Sequence, residues 1–301
     1  MAQNPEHLTA DADMKQAVEP SADDAAEANG QEEQESLLNT PPVTRPETDF
    51  DEWLVLSQSI QPYRRPDLES ARLPLKLAYP EIIQIVSEKS TGSGKEETVW
   101  LEFRTPAGES AWLPKALLVP HIELPAHWTN IPIGEELVDR HTPLPLDYKP
   151  DDLDSFPARW VYVKDRDVQM REKALEQAIL MFEYARTEGI HLRVVSGFRS
   201  AGTQRYLYLR KIEKDGLHQN VVAKPGHSEH QLGTTMDVSG LDPQYVLRGS
   251  FGDSKEGKWV GENCERFGFR ISYTPENSAE TGYIPEPWHL RYVGISYKNP
   301  R

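Results

Sequence analysis

The chain has 301 residues, enough for two ordinary domains, each with its own core. Its formal net charge of −15 argues against a phosphate-backbone partner, so nucleic acid is excluded as a ligand class. The single cysteine, Cys264, rules out an internal disulfide framework and a Cys-rich zinc site, and no apolar run is long enough to span a membrane.

Residues 1–48 are rich in Ala, Glu, Asp and Gln, and the first 40 carry ten acidic side chains against Lys15 alone, or −9 of the −15. With no aromatic residue before Phe50, this segment has too little apolar surface to offset the entropy of ordering it. It reads as a disordered acidic tail and linker, closed by the stiff "NTPPVTRPETD". The opening "MAQNPEHLTADADMKQ" has neither the basic n-region nor the apolar h-region of a secretory signal.

Residues 49–121 change to short alternating runs: "EWLVLSQSIQPYRR", "PEIIQIVSEK" and "ETVWLEFRTPAGESAWLPKALLVP". These predict five or six strands of a small β-barrel. "RTPAGESAW" is a hairpin signal, with Gly108 available for a positive φ. The order of the runs, with Trp100, Gly108, Trp112 and Pro114, resembles a bacterial SH3-like domain. That resemblance implies a module that contacts cell-wall peptides or packs on its neighbour.

Residues 122–163 are Pro-rich and irregular and read as an extended connector lying on the next domain, residues 164–301. From Asp165 the spacing predicts a helix, with Leu175, Ala178, Ile179, Phe182 and Ala185 as its apolar stripe and Gly189 as its stop. "IHLRVVSG" predicts a strand, "TQRYLYLRKIEKDG" a helix ending at Gly216, and "TTMDVSG" another strand. "SKEGKWVGENCERFG" predicts a third helix, which turns Cys264 inward as a buried structural thiol. "FRISYT" and "WHLRYVGI" are the closing strands. Because those last strands are near neighbours, the expected class is α+β, with a small antiparallel sheet flanked by helices.

The chemistry concentrates in "PGHSEHQLGTTMD", Pro225 to Asp237, and in "IPEPWHLRYVG" further on. His230, Asp237 and His289 are two imidazoles and one carboxylate, a zinc-type ligand set that leaves a fourth position for water. His230 and Asp237 can meet only if the chain turns at Gly233, and His227 competes with His230 for the ligand role. Strand alternation puts His289 and Arg291 on one face, toward a cleft, and Trp288, Leu290 and Tyr292 on the core face. A straight strand would put Glu286 opposite His289, so the chain is expected to bend around Pro287. Glu286 would then stand beside the water as general base.

These two stretches, with "SGFRSAGTQRYLY" ahead of them, resemble the VanY-type D-alanyl-D-alanine metallocarboxypeptidases. These are zinc peptidases of the group that includes lysostaphin-type enzymes and the hedgehog signalling domain. The family pattern Ser-x-His-x-x-Gly-x-Ala-x-Asp, later Glu-x-x-His, is met by Ser228, His230, Gly233, Asp237, Glu286 and His289, with Thr235 where Ala is usual. The resemblance covers roughly residues 155–296, about half the chain.

It implies that His230 rather than His227 is a ligand, and that Zn2+ is held by His230, Asp237 and His289 in a cleft. Arg199 is implied to stabilise the oxyanion at the scissile carbonyl, as a fixed guanidinium aimed at developing charge can do. Ser228 and Gln204 are implied to hydrogen-bond the terminal D-Ala, and Arg291 is a further candidate contact for a substrate carboxylate. The expected activity is removal of the terminal D-Ala from peptidoglycan stem peptides. An L,D-carboxypeptidase or cell-wall endopeptidase with the same site is the alternative within that chemistry, and a non-catalytic zinc domain binding wall peptides is the alternative from another class. The substrate implies the cell envelope, by an export route not visible in this chain, or a phage-type lysin released from the cytoplasm.

Overall fold

The computed structural model describes residues 50–124, 130–134 and 138–295, and the expected tail of residues 1–48 lies outside them. The alternating runs near the start form one sheet of five strands: β1 (Glu52–Val55), β2 (Ile82–Thr91), β3 (Thr98–Arg104), β4 (Ser110–Pro114) and β5 (Leu118–Pro120). All its pairings are antiparallel, in the order β4-β3-β2-β1-β5. Alternation sends Trp53, Val55, Leu101, Phe103, Ala111 and Leu113 into one core. The β3–β4 hairpin turns through Gly108 at φ 81°.

The second half opens with a two-stranded ribbon, β6 (Leu153–Ser155) and β7 (Gln169–Arg171), and then α1 (Glu172–Thr187). The helix expected from Asp165 therefore starts later. Asp165 has φ 64°, and Gln169 to Arg171 pair with β6, so their backbone is extended and cannot open a helix. From Glu172 onward the apolar stripe behaves as its spacing demands: Leu175, Ala178, Phe182 and Ala185 are buried, joined by Met181, while Ile179 packs at the edge.

Then follow β8 (Arg193–Ser196), α2 (Ala201–Asp215), β9 (Thr235–Ser239), α3 (Lys255–Asn263), β10 (Phe269–Ile271) and β11 (His289–Tyr292). The four strands form one antiparallel sheet in the order β10-β11-β9-β8. This is a mixed α and β architecture with antiparallel sheets. Ser200 caps α2 by accepting from Thr203 N at 3.3 Å, and Gly216, at φ 85°, ends it. Cys264 is 2 % exposed, and burial pushes its thiol up to about 11, so it packs as a small apolar residue.

Two features position the site. The first sheet rests on α2, where Leu54, Leu56 and Val119 pack on Tyr208, whose hydroxyl donates to Ala116 O at 2.9 Å. The connector does the same for the loop ahead of β9. Ile131, Val138, Leu144 and Tyr148 enclose Leu232, and the Gln231 amide donates to Pro145 O at 2.8 Å and Tyr148 O at 3.2 Å. That loop is a 3-10 turn, Glu229–Leu232, closed by Gly233 at φ 74°.

Gly233 is restricted twice. A Cβ there would need an unfavourable φ and would sit 3.0 Å from Arg171 Cγ and Leu153 Cδ2 and 3.2 Å from Pro150 Cγ. Gly233→Ala is expected to lower stability by about 1–3 kcal/mol, read as a lower urea midpoint at unchanged slope.

Candidate metal centre and cleft

The register of the second sheet sets Asp237 of β9 directly across from His289 of β11. Two candidate ligands are thus fixed by one ladder, which holds neighbouring strands about 5 Å apart. His230 joins them from the 3-10 turn, because Gly233 reverses the chain just before β9. One ligand atom from each of the three residues lies within 4.8 Å of the others, and all three side chains are buried. His227 is not among them: its Nδ1 lies 2.8 Å from Asp139 O, away from the cluster.

The ring nitrogens facing away from the centre are engaged. His230 Nδ1 donates to Gly197 O at 2.8 Å, which leaves Nε2 as an acceptor 3.3 Å from Asp237 Oδ2. Burial, then the neighbouring Arg199 charge, lowers the His230 pKa and favours the neutral ring. His289 Nε2 donates to Glu229 Oε2 at 2.9 Å, while its Nδ1 lies 3.3 Å from Asp237 Oδ1. Burial opposes a charge on His289, but hydrogen bonds to Asp237 and Glu229 outweigh it and push its pKa up to about 10. Asp237 and Glu229 are themselves held well below the usual carboxylate range: burial would raise both, and the charges and hydrogen bonds around them win.

The donor set fits a divalent cation of the zinc type on two observations. Asp237 turns both oxygens of its buried carboxylate on the imidazoles, Oδ1 3.3 Å from His289 Nδ1 and Oδ2 3.3 Å from His230 Nε2. Each imidazole also has its outer nitrogen tied to a carbonyl or a carboxylate, which fixes the ring and aims the inner nitrogen at the metal position. A negative site that already draws a proton onto His289 is one where a cation would displace that proton.

Glu286 reaches this centre by the bend expected of it. His289 N donates to Glu286 O at 3.0 Å, closing a turn over Pro287 and Trp288, and the carboxylate lies 3.6 Å from His289 Nδ1. Burial pushes the Glu286 pKa up to about 7, against the pull of His289. A carboxylate poised near neutrality beside a metal position can both accept and return a proton. Arg199 follows β8. Its guanidinium donates to Gln204 Oε1 at 2.9 Å and Ser196 Oγ at 3.2 Å, and lies 3.9 Å from Asp237 Oδ2.

Arg199, Gln204, Ser228 and Glu286 line one cleft of about 860 Å3 together with the three candidate ligands. Ser228 is buried just before the 3-10 turn. Gln204 is 1 % exposed, its carbonyl taken by Arg199 and its NH2 donating to Ala223 O at 2.7 Å. Arg291 stands elsewhere, which corrects the expectation that strand alternation turns it to the cleft. It is 3 % exposed, donates to Glu229 Oε1 at 2.9 Å, and lines a separate cavity of about 320 Å3. Its face of β11 is shared with His289, but Glu229 lies over it and takes the charge. Glu229 is the residue that sequence reasoning missed. The available signal was electrostatic: an arginine alternating with a candidate ligand on a buried strand requires an anion, and "SEH" supplies one beside another candidate ligand.

Residues 167–295 match the family described as VanY, D-alanyl-D-alanine carboxypeptidase. The bifunctional D-Ala-D-Ala dipeptidase and D-Ala-D-Ala carboxypeptidase VanXYC of Enterococcus gallinarum is 30% identical over 169 residues, which are 54% of this chain and 84% of that protein. The chain belongs to the VanY family. A second relative, YodJ of Bacillus subtilis (strain 168), is 37% identical over 161 residues, 52% of this chain and 59% of that protein, so little more than half of its length is matched. Among solved structures, the LdcB LD-carboxypeptidase aligns with a TM-score of 0.51 at 35% identity, covering 54% of this chain and 77% of that one. The family match, residues 167–295, falls on the half that carries the cleft. The VanY assignment thus concerns the second half of the molecule.

Glu286 gives the metal-free protein a pH dependence of defined sign. Its folded pKa of about 7 exceeds the ordinary 4.5, so between those values the folded state binds more protons than the unfolded one. This group therefore costs stability as pH rises through that window, and the cost is complete above about pH 7. After chelator treatment, Glu286→Gln is expected to be more stable than the parent by roughly 1–3 kcal/mol at pH 8, and equal to it at pH 4. Urea melts at the two pH values check this.

Proposed function

We propose that this chain is a zinc-dependent carboxypeptidase that removes the terminal D-Ala from peptidoglycan stem peptides, cutting the D-Ala–D-Ala bond. The observation that carries this reading is one cleft in which a buried two-imidazole, one-carboxylate centre stands next to a carboxylate poised near pH 7 and a fixed arginine. Family membership supports it, and VanXYC is by its name a D-Ala-D-Ala carboxypeptidase.

His230, Asp237 and His289 would hold the zinc, with Gly197 O and Glu229 fixing the two rings. When bound, zinc supplies Lewis-acid polarisation of the carbonyl and a position for water whose pKa is lowered. Glu286 takes the proton from the attacking water and returns it to the departing amine, and its raised pKa suits both transfers. Arg199 stabilises the charge that develops on the carbonyl oxygen. Gln204, with both ends of its amide engaged, holds that guanidinium in place. Ser228 orients the terminal residue.

A second reading is favoured by the LdcB structure, an LD-carboxypeptidase at 35% identity. The same groups would then remove the single D-Ala next to the diamino acid. The first sheet is read as SH3-like. One of its faces packs on α2, which supports a bracing role, and its remaining surface is left for contact with the wall. Such a substrate puts the site of action at the cell envelope. None of the helices among the described residues is long and apolar enough to cross a membrane.

The deciding assay incubates the zinc-loaded protein with muropeptides ending in D-Ala–D-Ala and with those ending in a single D-Ala. Release from the first class, abolished by chelator and reduced by at least about 100-fold in Glu286→Ala, is the expected result. Release from the second class alone would favour the second reading, and release from neither would overturn both. Glu229→Gln is expected to weaken zinc binding by about 10–100-fold in chelator competition, since it loosens the ring of His289 without removing a ligand.

A further inference from the structure

Leu247, in the loop between β9 and α3, has φ 52°, in the left-handed region where a side chain crowds the following carbonyl. The other described non-glycine residue with positive φ is Asp165, at 64°, whose short polar side chain tolerates that region. Leucine has no such compensation. Burial does not provide one either, because Leu247 is 45 % exposed.

The conformation is imposed from both sides. Tyr245 packs against the main core and Phe251 is fully buried within it. Just ahead of the first anchor Asp242 accepts from Gln244 N at 3.0 Å, and between the anchors Arg248 N donates to Tyr245 O at 3.3 Å and Phe251 N donates to Arg248 O at 2.9 Å. A well-tied loop thus holds a leucine in a strained conformation and leaves it in water. Strain of this kind persists where the surroundings over-determine it, and it concentrates at ligand-contacting positions.

Leu247 lines the cleft that holds Arg199, Glu286 and His289. Leu207 of α2 and Val221 of the loop after it also line the cleft, and they are 38 % and 44 % exposed. The cleft therefore has a polar floor and a rim on which these apolar side chains stand among charged residues of α2 such as Arg210 and Lys214: His230 and His289 are each 4 % exposed, against 45 % for Leu247. A carboxypeptidase substrate enters by its free C-terminus, so the scissile bond lies at the floor and the preceding residues lie toward the rim. In a stem peptide, the residue before the D-Ala pair is a diamino acid with a long methylene chain.

We propose that Leu247 is a specificity-determining residue that covers the methylene chain of that diamino acid. The proposal rests on the carboxypeptidase reading above.

Two variants suited to a positive φ, Leu247→Gly and Leu247→Asn, test it in the zinc-loaded full chain. The substrates are diacetyl-Lys-D-Ala-D-Ala and acetyl-Gly-D-Ala-D-Ala, which differ in the side chain that Leu247 would cover. On the lysine substrate kcat/KM is expected to fall about 10-fold in both variants, mainly through KM. On the glycine substrate it should change by less than about 2-fold, and Tm should not fall, since the strain is relieved. An equal loss on both substrates, or no loss on either, would overturn the proposal. If the unsubstituted protein releases D-Ala from neither, the D-Ala–D-Ala carboxypeptidase reading fails instead.

Discussion

The molecule is organised around charge removed from water at the β9–β11 pair. Asp237 and Glu229 are buried anions, Arg291 is a buried cation, and His289 stands between the two carboxylates. Unpaired, each of these groups would be strongly unfavourable inside a protein, so their positions cannot be chosen independently. Arg291 answers Glu229, Glu229 answers His289, and His289 answers Asp237, with Arg199 at the far end. The line of contacts continues through Gln204 to the backbone of Ala223. A metal centre at this place inherits rings that are already aimed.

Backbone features make that arrangement accessible. Antiparallel register sets Asp237 against His289, and the left-handed Gly233 turns the chain so that His230 meets them. The connector locks the intervening 3-10 turn through Leu232 and Gln231, so the turn is held from behind. The first sheet does the corresponding work for α2, packing Leu54, Leu56 and Val119 on Tyr208. Arg205 adds a bond to Leu56 O at 2.7 Å and Lys224 one to Lys115 O at 3.3 Å. These bonds secure both ends of the Gln204–Ala223 bridge, so the wall of the cleft beside Arg199 is braced from outside the second sheet.

The cleft divides its chemistry by depth. Its floor is polar and largely buried, where electrostatic stabilisation of a developing charge is strong. Burial raises Glu286 to about 7 there, while Asp237, more deeply enclosed, is held low by its imidazole neighbours. Two carboxylates in one cavity are thus given different protonation behaviour by their contacts, one suited to proton transfer and one to metal ligation. The rim carries exposed apolar side chains on three elements, α2, the loop after it and the loop after β9, beside charged residues of α2.

Much of this was legible in the sequence because it depends on local spacing. The alternating runs announced the strands of the first sheet, the stripe from Leu175 to Ala185 announced α1, and Gly233, His230, Asp237, Glu286 and His289 announced a metal-type centre with a carboxylate nearby. Local spacing could not say where α1 begins, because Gln169 to Arg171 are claimed by a strand partner in β6. Alternation identified the face of β11 that carries Arg291, but not what covers that face. Only the tertiary structure brings Glu229 over it, turning a candidate substrate contact into the counter-charge behind a candidate ligand. Likewise, nothing in "YVLRG" marks Leu247 as strained, since its φ is dictated by the anchors on either side. The sequence by itself determined which elements form and which residue types collect at the centre, because these follow from periodicity and turn chemistry. The tertiary structure decided which buried charges face one another, because pairing across strands and loops depends on register and on packing from distant parts of the chain.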